Sequence, residues 1–125
     1  MRVRLEAKGP YLLATFGGPL SIRGASRAFK ITCDAAAQKG FDKILVDYLA
    51  VDGELSLPEA SELGRNIAAH YLIRNMCTQM AMISHAPAIN VFAGRLNSKP
   101  GLVVEAFSEV QSALQWLNPV YGRQG

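Results

Sequence analysis

A strand, a loop and the start of a helix are encoded in residues Ile44–Gly64, which read ILVDYLAVDGELSLPEASELG. The apolar run from Ile44 to Val46 has no polar alternation, which is typical of a strand covered on both faces. Ser56 and Glu59 have the spacing of a capping box, in which each side chain accepts a hydrogen bond from the backbone N–H of the other residue. Pro58 falls in the first helical turn, where its missing N–H costs nothing. This pattern indicates a fold class but not an activity.

The chain before this segment begins with a predicted hairpin. Apolar and polar residues alternate over residues 2–8, as in a strand with one wet face, and Gly9-Pro10 turns the chain. Residues 11–16 form a second, more continuously apolar strand, which Gly17-Gly18-Pro19 ends. We expect the two strands to be antiparallel, with the first at a solvent-facing edge.

The first helix is predicted to run from its cap at Ser21 to about Lys39, where Gly40 closes it. The central strand follows at about Lys43–Tyr48, and a polar loop follows at Ala50–Leu55. The buried stripe of the first helix consists of five residues at spacings of three and four: Ile22, Ala25, Phe29, Cys33 and Ala36.

Three further elements follow the second helix, which starts at Ser56. We predict a fourth strand at Met80–Ser84, a short helix at Ala88–Leu96 and a fifth strand at Leu102–Phe107. The buried positions of the second helix are predicted to be Ala60, Leu63, Ile67 and Tyr71.

A last helix opens with a second capping box at Ser108 and Gln111. Its expected buried positions are Val110, Ala113, Leu114 and Leu117. The complete order is β-β-α-β-α-β-α-β-α. A strand–helix alternation after an initial hairpin predicts an α/β fold with a central, mainly parallel five-stranded sheet and right-handed crossovers.

Composition excludes several classes of protein. The 125 residues, half of them apolar, suffice for a single domain over 1–125, and the apolar surplus favours a homodimer interface or an apolar pocket. The net charge is only +3 and the basic residues are scattered singly, so we expect no nucleic-acid partner. No apolar run approaches the roughly 18 residues of a membrane span, so we expect no membrane insertion and a cytoplasmic location.

The two cysteines, Cys33 and Cys77, lack the spacing of metal ligands. We expect two reduced thiols in or near the core, with no metal and no cofactor. His70 lies late in the second helix and is assigned no role.

The segment Val46-Asp47, with the polar loop that leads into Ser56, resembles the STAS or anti-sigma-factor-antagonist (SpoIIAA-like) family. Those proteins carry Leu-Asp-Leu-Ser followed by Ile-Asp-Ser-Ser-Gly-Leu-Gly in the corresponding place. The C-terminal segment 104–117, VEAFSEVQSALQWL, is similar to the last strand and helix of many small bacterial STAS-like proteins. The resemblance implies a STAS-like fold over nearly the whole chain and a non-enzymatic regulatory role through protein interaction.

The phosphorylation switch of that family does not carry over directly. Aligned from Asp47 without gaps, the family's phosphorylated serine falls on Leu57, and its first serine falls on Ser56. Ser56 is therefore a candidate phosphorylation site only if the loop slips by one residue, and otherwise it is a helix cap. A phosphate there would face a helix N-terminus but would crowd Glu54 and Glu59.

A rim of polar groups is expected at the carboxyl ends of the parallel strands, where open sheets bind ligands. Its candidate residues, for a partner or a small ligand, are Gly17, Gly18, Ser21, Asp52, Gly53, Glu54, Ser56, His85, Asn90 and Ser108. Gly17-Gly18 could approach a phosphate, although a tight turn is the simpler interpretation because no Walker or Rossmann motif surrounds it. Asp47, at the end of the central strand, is expected to take loop N–H groups as partners.

Three functions remain open from sequence. The first is a regulatory domain that docks on a partner protein, or on its own copy, through the loop and helix at 52–64. The second is a small-molecule or lipid carrier that uses the rim. The third is an enzyme in which His85 and Asp52 form an acid–base pair; the simpler role for His85, before Ala-Pro, is to end a strand.

Overall fold

The computed structural model describes residues 1–74, 78–97 and 102–117, and for 71–74 it describes the backbone only. The predicted order of elements is confirmed. The strands are β1 (Arg2–Ala7), β2 (Leu12–Pro19), β3 (Lys43–Asp52), β4 (Thr78–Ile83) and β5 (Leu102–Phe107). The helices are α1 (Ile22–Lys39), α2 (Leu57–Arg74), α3 (Ala88–Leu96) and α4 (Val110–Leu117).

The five strands form one sheet in the order β1-β2-β3-β4-β5. β1 pairs with β2 antiparallel, as predicted, and every later pair is parallel. Because neighbouring strands are successive in the chain, right-handed crossovers place α1, α2 and α3 on the same face of the sheet. α4 follows the last strand and packs on the opposite face. We call these the three-helix face and the one-helix face.

Side chains that alternate along the strands build a separate core on each face. On the three-helix face, the rings of Phe16 and Phe92 flank Phe29, with centroids 4.9 and 4.8 Å from it. β4 shows the alternation directly, since Met80 and Met82 face this core. The smaller core on the one-helix face consists of Leu45, Ala81, Ile83, Ala113 and Leu117. Among the described helices, none combines the length and apolar character needed to cross a membrane.

Both predicted ends of α1 are confirmed. The hydroxyl of Ser21 accepts a hydrogen bond from the N–H of Gly24 at 3.0 Å. Gly40 has φ 78°, a left-handed conformation that glycine adopts without a Cβ penalty. Four of the five predicted stripe residues are buried, and Ile22, in the first turn, is only partly buried.

β2 and β3 are both longer than predicted, which corrects two expectations. After a bulge between Thr15 and Gly17, pairing continues with Gly17 opposite Ala50, Gly18 opposite Val51 and Pro19 opposite Asp52. The tight turn at Gly17-Gly18 and the loop over 50–55 were therefore wrong in extent, because these two segments complete each other's backbone hydrogen bonds.

Asp47 lies within β3 and not at its end. Its Oδ1 atom accepts a hydrogen bond from the N–H of Leu49 at 3.1 Å, so its partner comes from its own strand and not from a loop.

The last helix begins one residue later than the sequence indicates. The N–H of Ala113 donates to the carbonyl of Glu109, so Glu109 precedes the first turn and the capping box predicted at Ser108 is out of register. Val110, expected to be buried, is 45% exposed, whereas Ala113 and Leu117 are fully buried.

β4 begins at Thr78, earlier than predicted. The side chain of Tyr71 and the whole of Cys77 lie outside the described residues.

Candidate functional site

The carboxyl ends of β2 to β5 meet at one edge of the sheet because these strands are parallel. The structure divides the predicted rim residues at this edge among three places: the turn between β3 and α2, the end of β2, and a cleft beside β4 and β5.

The first of these places is the β3–α2 turn, residues 53–56. Gly53 has φ 109°, a conformation that side chains with a Cβ rarely adopt. Asp52, Gly53, Glu54 and Ser56 are all exposed. The turn is shorter than the predicted loop because β3 continues to Asp52, so it lies directly on the end of a strand.

A reciprocal pair of hydrogen bonds fixes the start of α2. The N–H of Ser56 donates to Glu59 Oε1 at 2.9 Å, and the N–H of Glu59 donates to Ser56 Oγ at 3.2 Å. Both bonds predicted from the spacing are therefore formed. Leu57, the first residue of α2, is 58% exposed, the largest exposure among the large apolar side chains that the structure describes. The capping box thus holds an apolar side chain in solvent on a rigid helix start.

At the end of β2, Gly17 and Gly18 are strand residues, and the side chain of Ser21 caps α1. Gly17 lines a cleft of about 670 Å³ together with the side chains of Arg2, Arg4 and Arg27. Of these three arginines, only Arg4 forms an ion pair within the part of the chain that the structure describes. Its Nε atom lies 3.5 Å from the carboxylate of Glu6.

His85, Asn90 and Ser108 come together, as the rim hypothesis expects. They line a cleft of about 420 Å³ with the apolar side chains of Ile89 and Phe107. The ring Nε2 atom of His85 lies 3.1 Å from the carbonyl oxygen of Ser108, which ties the end of β4 to the end of β5.

The acid–base pair of His85 and Asp52 is not assembled. The hydrogen bond of the His85 ring is to Ser108, and Asp52 pairs through its backbone with Pro19 at the β2 side of the sheet. Within residues 1–74, 78–97 and 102–117, no hydrogen bond or ion pair joins the two side chains. The geometry gives no support to the enzyme hypothesis.

Tyr48 lies inside β3, and the pKa of its phenol is shifted from the ordinary value. Its side chain faces the core of the three-helix face, where its ring contacts Phe16 with centroids 6.1 Å apart. Burial raises the pKa of Tyr48 to about 12, because the charged phenolate would lose its hydration there.

A further cluster was missed from sequence. Nε2 of His70 on α2 lies 2.9 Å from Oδ1 of Asp34 on α1, and Cys33 lies beside them. Cys33 was predicted to be buried and His70 was assigned no role. Only the packing of α1 on α2 brings together residues 36 positions apart, and the sequence carries no signal for that contact.

No protein-family model matches the sequence, and no curated protein does either. Solved structures do resemble it. An anti-sigma factor antagonist from Mycobacterium paratuberculosis is 14% identical, with a TM-score of 0.58 over 93% of this chain and 92% of that one. An uncharacterised DUF3478 family protein with a SpoIIAA-like fold, from Shewanella loihica, is 22% identical, with a TM-score of 0.57 over 93% and 92%.

The phosphorylated form of the Bacillus cell fate determinant SpoIIAA also matches. It is 13% identical, with a TM-score of 0.53 over 94% of this chain and all of that one, 100%. Together these structures establish that the chain has the STAS-like fold expected from the residues around Asp47 and Ser56.

Proposed function

We propose that residues 1–125 act as one STAS-like domain with a non-enzymatic regulatory role, docking on a partner protein or a second copy through the turn and helix at 52–64. The observation that carries this proposal is the exposed side chain of Leu57 on the capped start of α2. The fold supports it, because the similar structures include an anti-sigma factor antagonist from Mycobacterium paratuberculosis and the anti-sigma factor antagonist SpoIIAA.

The chemistry of the segment indicates the kind of surface it would meet. Carboxylates of Asp52, Glu54, Glu59 and Glu62 surround Leu57 in the sequence, and three of these four residues are exposed. A complementary partner would offer a small apolar pocket for Leu57 within a basic rim. Negative charges on this segment would speed its association with a basic surface, while burial of the Leu57 side chain would supply affinity.

Matched variants test the docking surface. Leu57→Glu places a charge on the proposed anchor, and Val103→Glu does the same at a side chain of similar exposure, 56%, on β5. We expect the wild-type protein and the Val103 variant to retain the same partner from a lysate of the native host, and the Leu57 variant to lose it. Light scattering with size-exclusion chromatography distinguishes a second copy from a different partner.

Loss of capture in both variants, or in neither, would contradict docking through Leu57. Circular dichroism of each variant establishes that a loss reflects the surface and not unfolding, since substitutions at exposed sites change stability by only about 0.5 kcal/mol.

We infer a control point at Ser56. A phosphate on this exposed hydroxyl would gain the N–H groups and dipole of the α2 N-terminus, but it would displace the Glu59 carboxylate that now accepts from the Ser56 N–H. Phosphorylation would therefore exchange one cap for another and add negative charge beside Leu57. Mass spectrometry of the captured protein tests this directly; the unmodified peptide alone, from cells under several growth conditions, would refute it.

The cleft beside β4 and β5 supports a second candidate function, binding of a small molecule or lipid. Its volume of about 420 Å³ lies within the range of about 300 to 1,000 Å³ of small-ligand sites, and His85 and Asn90 supply polar groups beside apolar walls. Native mass spectrometry of the purified protein should then show a co-purifying ligand that Asn90→Ala releases. A spectrum of the bare chain alone would count against this function.

A further inference from the structure

A thiol, a carboxylate and an imidazole meet where α1 packs against α2. One ligand atom from each of Cys33, Asp34 and His70 lies within 4.8 Å of the other two. Thiolate sulfur, imidazole nitrogen and carboxylate oxygen are the three donor types of zinc sites in proteins. We propose that this cluster binds a single divalent ion of the zinc class and that the ion joins α1 to α2.

The spacing of the three donors suits such an ion. Around a tetrahedral zinc with bonds of about 2.0 to 2.3 Å, neighbouring donor atoms lie about 3.5 Å apart. The observed separations bracket this value, from 2.9 Å between Asp34 Oδ1 and His70 Nε2 to at most 4.8 Å within the cluster. Side-chain rotations that bring the three atoms to about 3.5 Å from one another would close them on such an ion.

The three side chains of the cluster differ in how deeply they are buried. Cys33 is fully buried, the His70 side chain is 18% exposed and the Asp34 side chain is 45% exposed. Asp34 also lines an open groove of about 670 Å³ along α1, so the cluster is accessible from its Asp34 side, where the groove also carries Arg23, Arg27 and Lys30. Three protein donors leave the fourth tetrahedral position for a water molecule on the groove side.

The same burial argues against a nucleophilic Cys–His–Asp arrangement. An organic substrate would have to bring its reacting atom to Cys33, which is fully buried, whereas a metal ion would enter between the partly exposed side chains of Asp34 and His70 and bind Cys33 from that side. The site is also separate from the proposed docking surface: His70 lies fourteen residues along α2 from Ser56, or about 20 Å at 1.5 Å per residue. Loss of one function therefore leaves the other testable.

Cobalt(II) is the probe, because a thiolate bound to it produces a sulfur-to-metal charge-transfer band in the near ultraviolet. We expect the metal-free protein to develop this band on titration with Co²⁺ and to lose it when Zn²⁺ is added. Cys33→Ala should abolish the band. Asp34→Asn preserves the hydrogen bond to His70 but removes the charge, and it should weaken Zn²⁺ binding roughly tenfold or more, as should His70→Gln.

Two matched variants complete the experiment. His85→Gln removes the chain's other histidine and Cys77→Ser its other cysteine, and both should bind as wild type does. Absence of the band in folded wild-type protein, its survival in the Cys33 variant, or its loss in the Cys77 variant would each overturn the proposal. If Cys33→Ala fails to fold, unchanged Zn²⁺ affinity in the Asp34 and His70 variants would overturn it equally.

Discussion

The apolar core is much larger on the three-helix face of the sheet than on the one-helix face. Three helices cover one face, where the aromatic group of Phe16, Phe29 and Phe92 fills the space above the strands. On the other face α4 is the only described helix, and Val103 on β5 remains 56% exposed. Two apolar side chains of this protein are therefore exposed for different reasons. Val103 is exposed where the sheet lacks cover, whereas Leu57 is held outward by a capped helix.

The largest expected effect compares the two cores directly. Phe29→Ala should cost about 3 to 5 kcal/mol, because it opens a cavity between the rings of Phe16 on β2 and Phe92 on α3. Leu117→Ala should cost about 2 kcal/mol, the low end of the range for leucine, because the short α4 can settle into the gap. Urea unfolding followed by circular dichroism measures both. An equal or larger loss for Leu117→Ala would mean that the one-helix face carries as much stability as the other.

The pH dependence of stability tests the core of the three-helix face at Tyr48. The pKa of Tyr48 is raised from 10.0 to about 12, so the folded state favours the neutral phenol. The resulting stability is fully present below pH 10 and is lost as the pH rises through 10 towards 12, by an amount of the order of 2 kcal/mol. Tyr48→Phe should remove this part of the alkaline loss. Identical pH profiles of the two proteins would show that the phenol is not desolvated.

Contact between helices within the three-helix face can be tested at Gly64. A Cβ atom there would lie 2.6 Å from Arg95 Cβ and 3.0 Å from the carbonyl oxygen of Phe92, so Gly64→Ala must push α2 and α3 apart. We expect a net loss of about 1 to 2 kcal/mol, although alanine is favoured in helices by about 1 kcal/mol. Gly94→Ala is the control, since nothing lies within 4 Å of its added Cβ, and thermal unfolding should show stabilisation.

The smallest expected effect concerns the exposed start of α2. Ser56→Ala removes the hydroxyl that accepts from the Glu59 N–H and should cost about 1 kcal/mol. Ser112→Ala, at an exposed position inside α4, should be neutral or slightly stabilising. Denaturant midpoints distinguish the two. If Ser56→Ala is also neutral, the core beneath α2, and not its cap, sets where the helix begins.

Local signals in the sequence were sufficient wherever neighbouring residues decide the structure. The Ser21 and Ser56 caps and the Gly40 terminus all depend on contacts within a few positions. Pairing between distant segments was not accessible in this way. The continuation of β2 and β3 beyond the bulge needs Gly17 to meet Ala50, and their composition alone resembles a turn and a loop.

The same distinction between local and long-range contacts applies to the candidate sites. The turn at 53–56 was predicted because the strand, the glycine and the capping box are consecutive. The Asp34–His70 contact was missed because helix packing, and not spacing along the chain, sets it. The His85–Asp52 pair of the third hypothesis is not formed, since strand order places their partners on different sides of the sheet edge.

The margin formed by β1 also affects how this protein behaves when molecules are crowded together. A sheet margin offers free backbone groups that invite a strand from another molecule. Here Arg4 and Lys8 flank Glu6 in ion pairs of 3.5 and 3.4 Å, so an incoming strand would have to disrupt or match alternating charges. Strand addition is therefore discouraged at the β1 edge of the sheet.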